Sequence, residues 1–70
     1  MWTQGTIDGY AYWVKHYEGG SQFGIDGGRI SKLSICKDGK ELYNYDRGLD
    51  FDNLDADGKM IYEELLKQYN

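Results

Sequence analysis

Two Asp-Gly pairs, Asp8-Gly9 and Asp38-Gly39, constrain the fold of this chain more than any other feature of its sequence. Each pair stands between runs rich in β-branched and aromatic residues, and such runs favour β-strands. An Asp-Gly pair suits the two-residue type I′ turn, because both central residues of that turn have positive φ angles. The sequence therefore predicts two β-hairpins, with strands at about residues 2–7 and 10–17 in the first and at about residues 29–37 and 40–46 in the second.

The end of the sequence has the spacing of an amphipathic helix at about residues 55–69. Its apolar side chains recur at intervals of three and four, and Asp55 or Asp57 can cap its N-terminus. Half of the ten glycines lie between the hairpins, in residues 18–28, which predicts a glycine-rich loop. Together these elements predict one α+β domain over residues 1–70: an antiparallel sheet of two hairpins, about four strands, packed on one C-terminal α-helix.

Length and charge narrow the classes of function. With 70 residues the chain has room for one domain with a marginal core. Its one cysteine, Cys36, excludes an internal disulfide, and a lone thiol is typical of a reducing cytoplasm. A formal net charge of −4 without a cluster of Lys and Arg argues against direct nucleic-acid binding. Without an apolar stretch of roughly 20 residues or a signal peptide, we expect a cytoplasmic protein that does not bind membranes.

One helix covers only one face of a sheet, so something else must account for the apolar residues on the other face. The tight turns set a register in which Ile35 faces Leu42 and both side chains point towards the helix with Leu33. The opposite face is then rich in aromatic residues, which is typical of a binding surface unless the sheet curls and the hairpins bury them against each other. The residues that we predict to bind a partner are Trp2, Trp13, Ile30, Tyr43 and Tyr45 on this face, with Asp50 and Asp52 from the acidic stretch 46–57.

The sequence thus predicts a non-catalytic acidic binding protein without a cofactor. The partner is another protein or a second copy of the chain, as in a homodimer, since a second subunit supplies the burial that a marginal core lacks. Catalysis is not expected, because nothing in the sequence links the single histidine, His16, or Cys36 to an activated nucleophile. Strand parity instead places His16 on the same face as Tyr12 and Val14, and Cys36 is better explained as a small strand residue.

Residues 53–64 offer an alternative, because they resemble an EF-hand calcium loop. The candidate ligands are Asn53, Asp55, Asp57 and Glu64, at loop positions one, three, five and twelve, with Gly58 at position six. The first position is Asn53 where Asp is usual, and the residues before it do not have the pattern of an entering helix. The competing interpretation is that Asp55, Asp57 and Gly58 form only the turn and cap of the last helix.

A third alternative is a small-ligand sponge that captures a nucleotide on the aromatic face or in the glycine-rich loop. The loop lacks the Gly-x-Gly-x-x-Gly and Lys-Ser/Thr patterns of phosphate-binding loops. The sequence also shows no basic cluster that could hold phosphate. On the sequence alone this hypothesis is weakest for a phosphate-rich ligand.

The chain also resembles small uncharacterised proteins of Gram-positive bacteria, their phages and mobile elements. The resemblance rests on four segments, which are Met1-Trp2-Thr3 with Gly5, residues 27–33, residues 43–48 and residues 62–69. It implies a phage-type accessory protein in the cytoplasm of a bacterial host, with inhibition of a bacterial defence protein as one possible role. It carries no catalytic or binding residues that can be transferred to this chain.

Overall fold

The computed structural model describes all residues from Met1 to Asn70. Both predicted hairpins are present, with turns at Asp8-Gly9 and Asp38-Gly39. The φ angles of these four residues lie between 50° and 84°, as a type I′ turn requires. The strands of the two hairpins are β1 (Trp2–Ile7), β2 (Tyr10–His16), β3 (Ile30–Lys37) and β4 (Lys40–Asp46).

A fifth strand, β5 (Leu49–Asp52), pairs antiparallel with β4 and extends the sheet to the order β1-β2-β3-β4-β5. The predicted α+β class is therefore confirmed, but the prediction of about four strands was one too few. The segment alternates Asp with Leu and Phe, and Asp disfavours strands, so its sequence does not indicate one. Pairing with β4 and the tight turn at Arg47, whose φ is 55°, create the strand.

The C-terminal helix α1 spans Ala56–Tyr69, and Asp55 caps it as predicted. An Asp55 carboxylate oxygen accepts hydrogen bonds from the Gly58 amide at 2.7 Å and from the Tyr10 hydroxyl at 2.7 Å. These bonds, the one from Tyr10 first, hold the pKa of Asp55 below its ordinary value. The cap therefore fastens the start of α1 to β2.

The helix lies on one face of the sheet, the inner face, and the hydrophobic core lies between them. Leu65 of α1 and Val14, Leu33 and Ile35 of the sheet are at most 1% exposed. The side chains of Leu42, Tyr12 and Tyr69 are partly buried around this centre. The buried core residues are Tyr10, Val14, Ile25, Ile30, Leu33, Ile35, Tyr43, Leu54, Ile61 and Leu65.

Two β-bulges change the register that the turns alone predict. Leu42 is an extra residue in β4, so Ile35 pairs with Tyr43 and not with Leu42. Tyr43 therefore turns to the inner face, where it is 3% exposed, and the predicted exposed position was wrong. Ser31 is an extra residue in β3, which turns Ile30 to the inner face and buries it completely, so that prediction was wrong for the same reason.

The glycine-rich loop is held to the rest of the fold by the side chain of Asn70. The Asn70 side-chain oxygen accepts from the Ile30 amide at 2.9 Å, and its nitrogen donates to the Ile25 carbonyl at 3.0 Å. A short 3₁₀ helix, Ile25–Gly27, places Ile25 in the core. At Gly24 a Cβ atom would lie 1.9 Å from the Gly28 carbonyl oxygen, so only glycine fits there.

Candidate functional site

The candidate site is the outer face, the side of the sheet opposite α1. Trp2 and Trp13 lie on it and are 57% and 40% exposed. Their strand pairing arranges the face in rows across the sheet: Trp2, Lys15, Lys32 and Asp46 form the first row. Gln4, Trp13, Ser34, Asn44 and Phe51 form the second row.

A shallow groove of about 380 Å³ runs along the outer face. Its walls are Trp2 and Trp13 on one side and Asn44 and residues of β4 on the other. Ser34 and Cys36 of β3 lie at its base. Apolar rings beside a few polar groups are the usual composition of a binding surface.

The charges divide the outer face into two halves. The tryptophan half, on β1 and β2, carries Trp2, Trp13 and Lys15, and neither strand contains Asp or Glu. The Lys15 ammonium lies 5.7 Å from the centre of the Trp2 ring, which is within cation–π range. The acidic half, on β4 and β5, carries the carboxylates of Glu41, Asp46 and Asp50.

Hydrogen bonds and an ion pair fix the side chains of the acidic half. The Asn44 amide donates to Asp50 at 3.0 Å, and the Ser34 hydroxyl donates to Glu41. Lys32 lies 3.6 Å from Asp46 in an ion pair that is open to solvent. These contacts, all open to solvent, connect the carboxylates of the acidic half to Asn44, Ser34 and Lys32.

The structure brings only part of the predicted site together. Trp2, Trp13 and Asp50 lie on the outer face, whereas Ile30 and Tyr43 belong to the core. Tyr45 pairs with Leu33, so it lies on the inner face and its predicted outer position was wrong. It is partly buried against the core, and its hydroxyl donates to the Phe23 carbonyl at 2.9 Å. Asp52 is exposed but pairs with Tyr43, and its carboxylate accepts from the Leu54 amide at 3.1 Å, which places it beside the start of α1.

Sequence reasoning missed the polar residues of the outer face. Lys32 and Ser34 alternate with the buried Leu33 and Ile35 in β3, so the alternation of this strand could have revealed them. In β4 the same alternation is interrupted by the bulge at Leu42. The other outer-face residues that the sequence did not assign to the site individually are Lys15, Glu41, Asn44, Asp46 and the apolar Phe51.

The sheet separates the only histidine from the only cysteine. His16 lies on the inner face as predicted, 3.2 Å from the Thr3 hydroxyl and with its ring centre 4.9 Å from that of Tyr69. Desolvation by burial lowers the pKa of His16 below 6.5. Cys36 lies on the outer face in contact with Ser34, so the two side chains do not form a nucleophile and base pair.

The four residues of the calcium hypothesis are not gathered around one point. Helix α1 begins at Ala56, so Asp57 and Glu64 are both helical and are separated by two turns, or roughly 10 Å along the axis. Asp55 already accepts the bonds from Gly58 and Tyr10. The structure holds no group of three or more His, Cys, Asp or Glu side chains that is suited to a metal ion. The structure therefore shows the cap that the competing interpretation predicts, and calcium binding stays a prediction.

The fold and the outer face define a class: a five-stranded antiparallel meander with one helical cover and an uncovered tryptophan face. The chain belongs to the family described as a domain of unknown function, DUF7678, whose model matches residues 1–70. No curated protein and no solved structure matches it. The resemblance to uncharacterised proteins is therefore confirmed at the level of the family, and the source in Gram-positive bacteria or phages stays a prediction. The structure contains no helix with the length and hydrophobicity needed to cross a membrane.

Proposed function

We propose that the chain is a non-catalytic binding protein whose outer face holds another protein surface, and that the occupant is a second copy of the same chain. The observation that carries the proposal is the exposure of Trp2 and Trp13, in adjacent rows of a sheet face without a helical cover. Tryptophan is among the residues that contribute most to binding energy at protein interfaces. Leaving two of them in water is unfavourable for an isolated subunit.

The two halves of the outer face complement each other. A two-fold axis parallel to β3 stacks the tryptophan half of one copy on the acidic half of the other. Such an axis preserves the height of each row, so Lys15 approaches Asp46, and Trp13 approaches Asn44 and Phe51. Closed two-fold pairs are the commonest protein oligomers, and aligned sheets pack about 10 Å apart.

The size of the face sets the expected strength of the dimer. Strand spacing and length give a projected area of roughly 500 Å². A standard interface buries about 800 Å² of accessible surface on each partner, and the side chains of the face add to its projected area. We therefore expect a dimer that dissociates in the micromolar range and not a permanent one.

Sedimentation velocity over a series of protein concentrations tests this proposal. The unmodified chain is expected to approach twice the monomer mass, while Trp13→Glu stays monomeric because a carboxylate then faces the acidic half of the partner. Met60→Glu is the matched control, since Met60 is 69% exposed on α1 and far from the outer face in the fold. A chain that is monomeric throughout, or a dimer that survives Trp13→Glu, contradicts the proposal.

Cys36 provides a second readout because it is the only cysteine and lies on β3, close to the proposed axis. The two Cys36 backbones are then expected to lie roughly 10 Å apart across the sheets, with both thiols in the gap between them. A short bis-maleimide should link them in the unmodified chain and in Met60→Glu. It should fail to link them in Trp13→Glu.

A bacterial protein with a basic surface is a second candidate occupant, favoured by the carboxylates of Glu41, Asp46 and Asp50. These charges attract Lys and Arg and speed the encounter with a basic partner. Inhibition of a bacterial defence protein, a phage or mobile-element origin and a cytoplasmic location stay predictions. Loss of binding to a purified basic candidate in Glu41→Gln/Asp50→Asn, at low salt, is the test of this alternative.

A further inference from the structure

A second pocket of about 400 Å³ opens beyond the first row of the outer face. Four segments meet there: the end of β2, the start of β3, the turn between β4 and β5, and the glycine-rich loop. Lys15, Lys32 and Arg47 line it, and they are three of the eight Lys and Arg residues of a chain whose net charge is −4. The fold therefore creates a local positive site in an acidic protein.

The three cations are only partly neutralised. Lys32 pairs with Asp46 at 3.6 Å, and this is the single ion pair of the structure. Lys15 and Arg47 have no carboxylate within ion-pair distance. Lys15 and Arg47 are therefore free of ion pairs, and Lys32 shares its charge with the exposed Asp46 carboxylate. Positive charge remains available for an anionic ligand.

Two aromatic rings and two hydroxyls complete the pocket. Tyr17 and Phe23 line it and are 49% and 51% exposed. Ser21 and Ser31 also line the pocket, and the Ser31 hydroxyl donates to the Lys15 carbonyl at 3.4 Å. A hydrogen bond with Lys15 and the charges of Lys15 and Lys32 lower the pKa of Tyr17, which reports the positive potential of this site. Exposed rings next to cations suit a ligand that carries both a flat ring and an anion.

The pocket is built before a ligand binds. The Arg47 amide donates to the Ser31 carbonyl at 2.8 Å, which holds the turn against β3. The Tyr45 hydroxyl donates to the Phe23 carbonyl at 2.9 Å, and the Phe23 amide donates to the Ser21 hydroxyl at 3.2 Å. These bonds tie the glycine-rich loop to the sheet, so a ligand meets ordered groups.

We propose that this pocket binds a nucleotide, with the phosphate against Lys15, Lys32 and Arg47 and the base against Tyr17 and Phe23. The volume of about 400 Å³ lies within the range of small-ligand sites. The proposal goes beyond the protein-binding function, because Arg47, Tyr17 and the loop lie past the end of the outer face. Lys15 and Lys32 belong to the first row of that face, so the nucleotide and the second copy compete for Lys15. It assigns the glycine-rich loop a binding role through its side chains.

Calorimetric titration with the four common ribonucleoside monophosphates tests the proposal, with inorganic phosphate and the matching nucleoside as separate arms. At least one nucleotide is expected to bind, and more tightly than phosphate or nucleoside alone. Arg47→Asn should weaken that binding roughly tenfold or more, since it removes a charged donor. Asn tolerates the positive φ of Arg47, so the turn is retained. Lys40→Gln, at the exposed start of β4, is the control with the same charge change.

Phe23→Ser tests the contact with the base separately from the contact with the phosphate. It should weaken binding of the nucleotide several-fold while leaving binding of inorganic phosphate unchanged. Trp13→Ser removes the ring without adding a charge beside Lys15. It should weaken the dimer and leave nucleotide binding intact, so failure of the dimer and failure of this proposal are distinguishable. The nucleotide proposal is overturned if none of the four nucleotides binds at millimolar concentration. It is also overturned if phosphate binds as tightly as the nucleotides, or if Lys40→Gln weakens binding as much as Arg47→Asn.

Discussion

The two faces of the same sheet are formed by alternate residues of the same strands, yet they have opposite chemistry. On the inner face Val14, Leu33 and Ile35 pack against α1 and exclude water. On the outer face their neighbours Trp13, Lys32 and Ser34 meet solvent. The inner face thus provides most of the stability of the domain. The residues of the outer face are not needed for the core and can serve the binding that we propose.

This difference also shows which aromatic residues are available to a partner. Tyr10 and Tyr43 are among the largest side chains of the chain and are at most 3% exposed on the inner face. Trp2 and Trp13 have no such cover. Aromatic content alone therefore does not identify a binding surface; the face on which each ring lies does.

Leu65→Ala should produce the largest effect and is the strongest test of the comparison between the faces. Leu65 is completely buried under the sheet, and deleting such a side chain costs about 2–5 kcal/mol. A domain of this size is rarely more stable than about 3–5 kcal/mol, so the variant is expected to be largely unfolded. Circular dichroism during thermal unfolding measures the loss.

Because Leu65→Ala is expected to unfold, two milder variants compare the contributions of the two faces to stability. Ile61→Val, also in the core, should fold and lose about 0.5–1.5 kcal/mol. Trp2→Ala on the outer face should change the free energy of unfolding of the monomer by less than about 1 kcal/mol. If Trp2→Ala destabilises the monomer more than Ile61→Val, the division of roles between the faces is wrong.

Asn70→Ala should have the next largest effect, about 1–3 kcal/mol, because it leaves the amide of Ile30 without its Asn70 partner and removes one of the two hydrogen bonds to the carbonyl of Ile25. Amide exchange of Ile30 and the urea midpoint measure the change. Gln68→Ala is the control, since Gln68 bonds only to the exposed Glu64 side chain. Unchanged exchange at Ile30 would mean that Asn70 does not hold the glycine-rich loop.

Acidification should give the smallest effect, and it should act through His16 on the inner face. Burial lowers the pKa of His16 below 6.5, so the unfolded chain takes up the proton first as the pH falls. Stability is therefore complete above about pH 6.5 and declines below it. The urea midpoint should be lower at about pH 5 than at about pH 7, and His16→Gln should reduce the difference. An equal decline in both proteins contradicts this role of His16.

Local patterns in the sequence predicted much of the fold. The Asp8-Gly9 and Asp38-Gly39 turns, the cap at Asp55 and the apolar spacing of α1 each depend on residues that are close together in the chain. The register of β1 and β2 also followed from the turn, since Ile7 pairs with Tyr10 as a two-residue turn requires. Two of the predicted outer-face rings, Trp2 and Trp13, lie in this hairpin.

The predictions that were wrong depend on interactions between distant strands. The bulges at Leu42 and Ser31 satisfy the pairing of whole strands, and each turns the residues beyond it to the other face. For that reason Ile30 and Tyr43 could not be placed by counting residues from a turn. β5 was missed because its pairing with β4, and not its own composition, makes it a strand.

The sequence by itself determined the two turns, the helix and the presence of a sheet face without a cover, because these follow from the φ angles, caps and spacing of neighbouring residues. Only the tertiary structure decided which rings occupy that face and that Lys15, Lys32 and Arg47 share one pocket. The cations are fifteen or more positions apart in the chain and look isolated in the sequence. They meet because an antiparallel meander brings the end of β2, the start of β3 and the turn after β4 to the same end of the sheet.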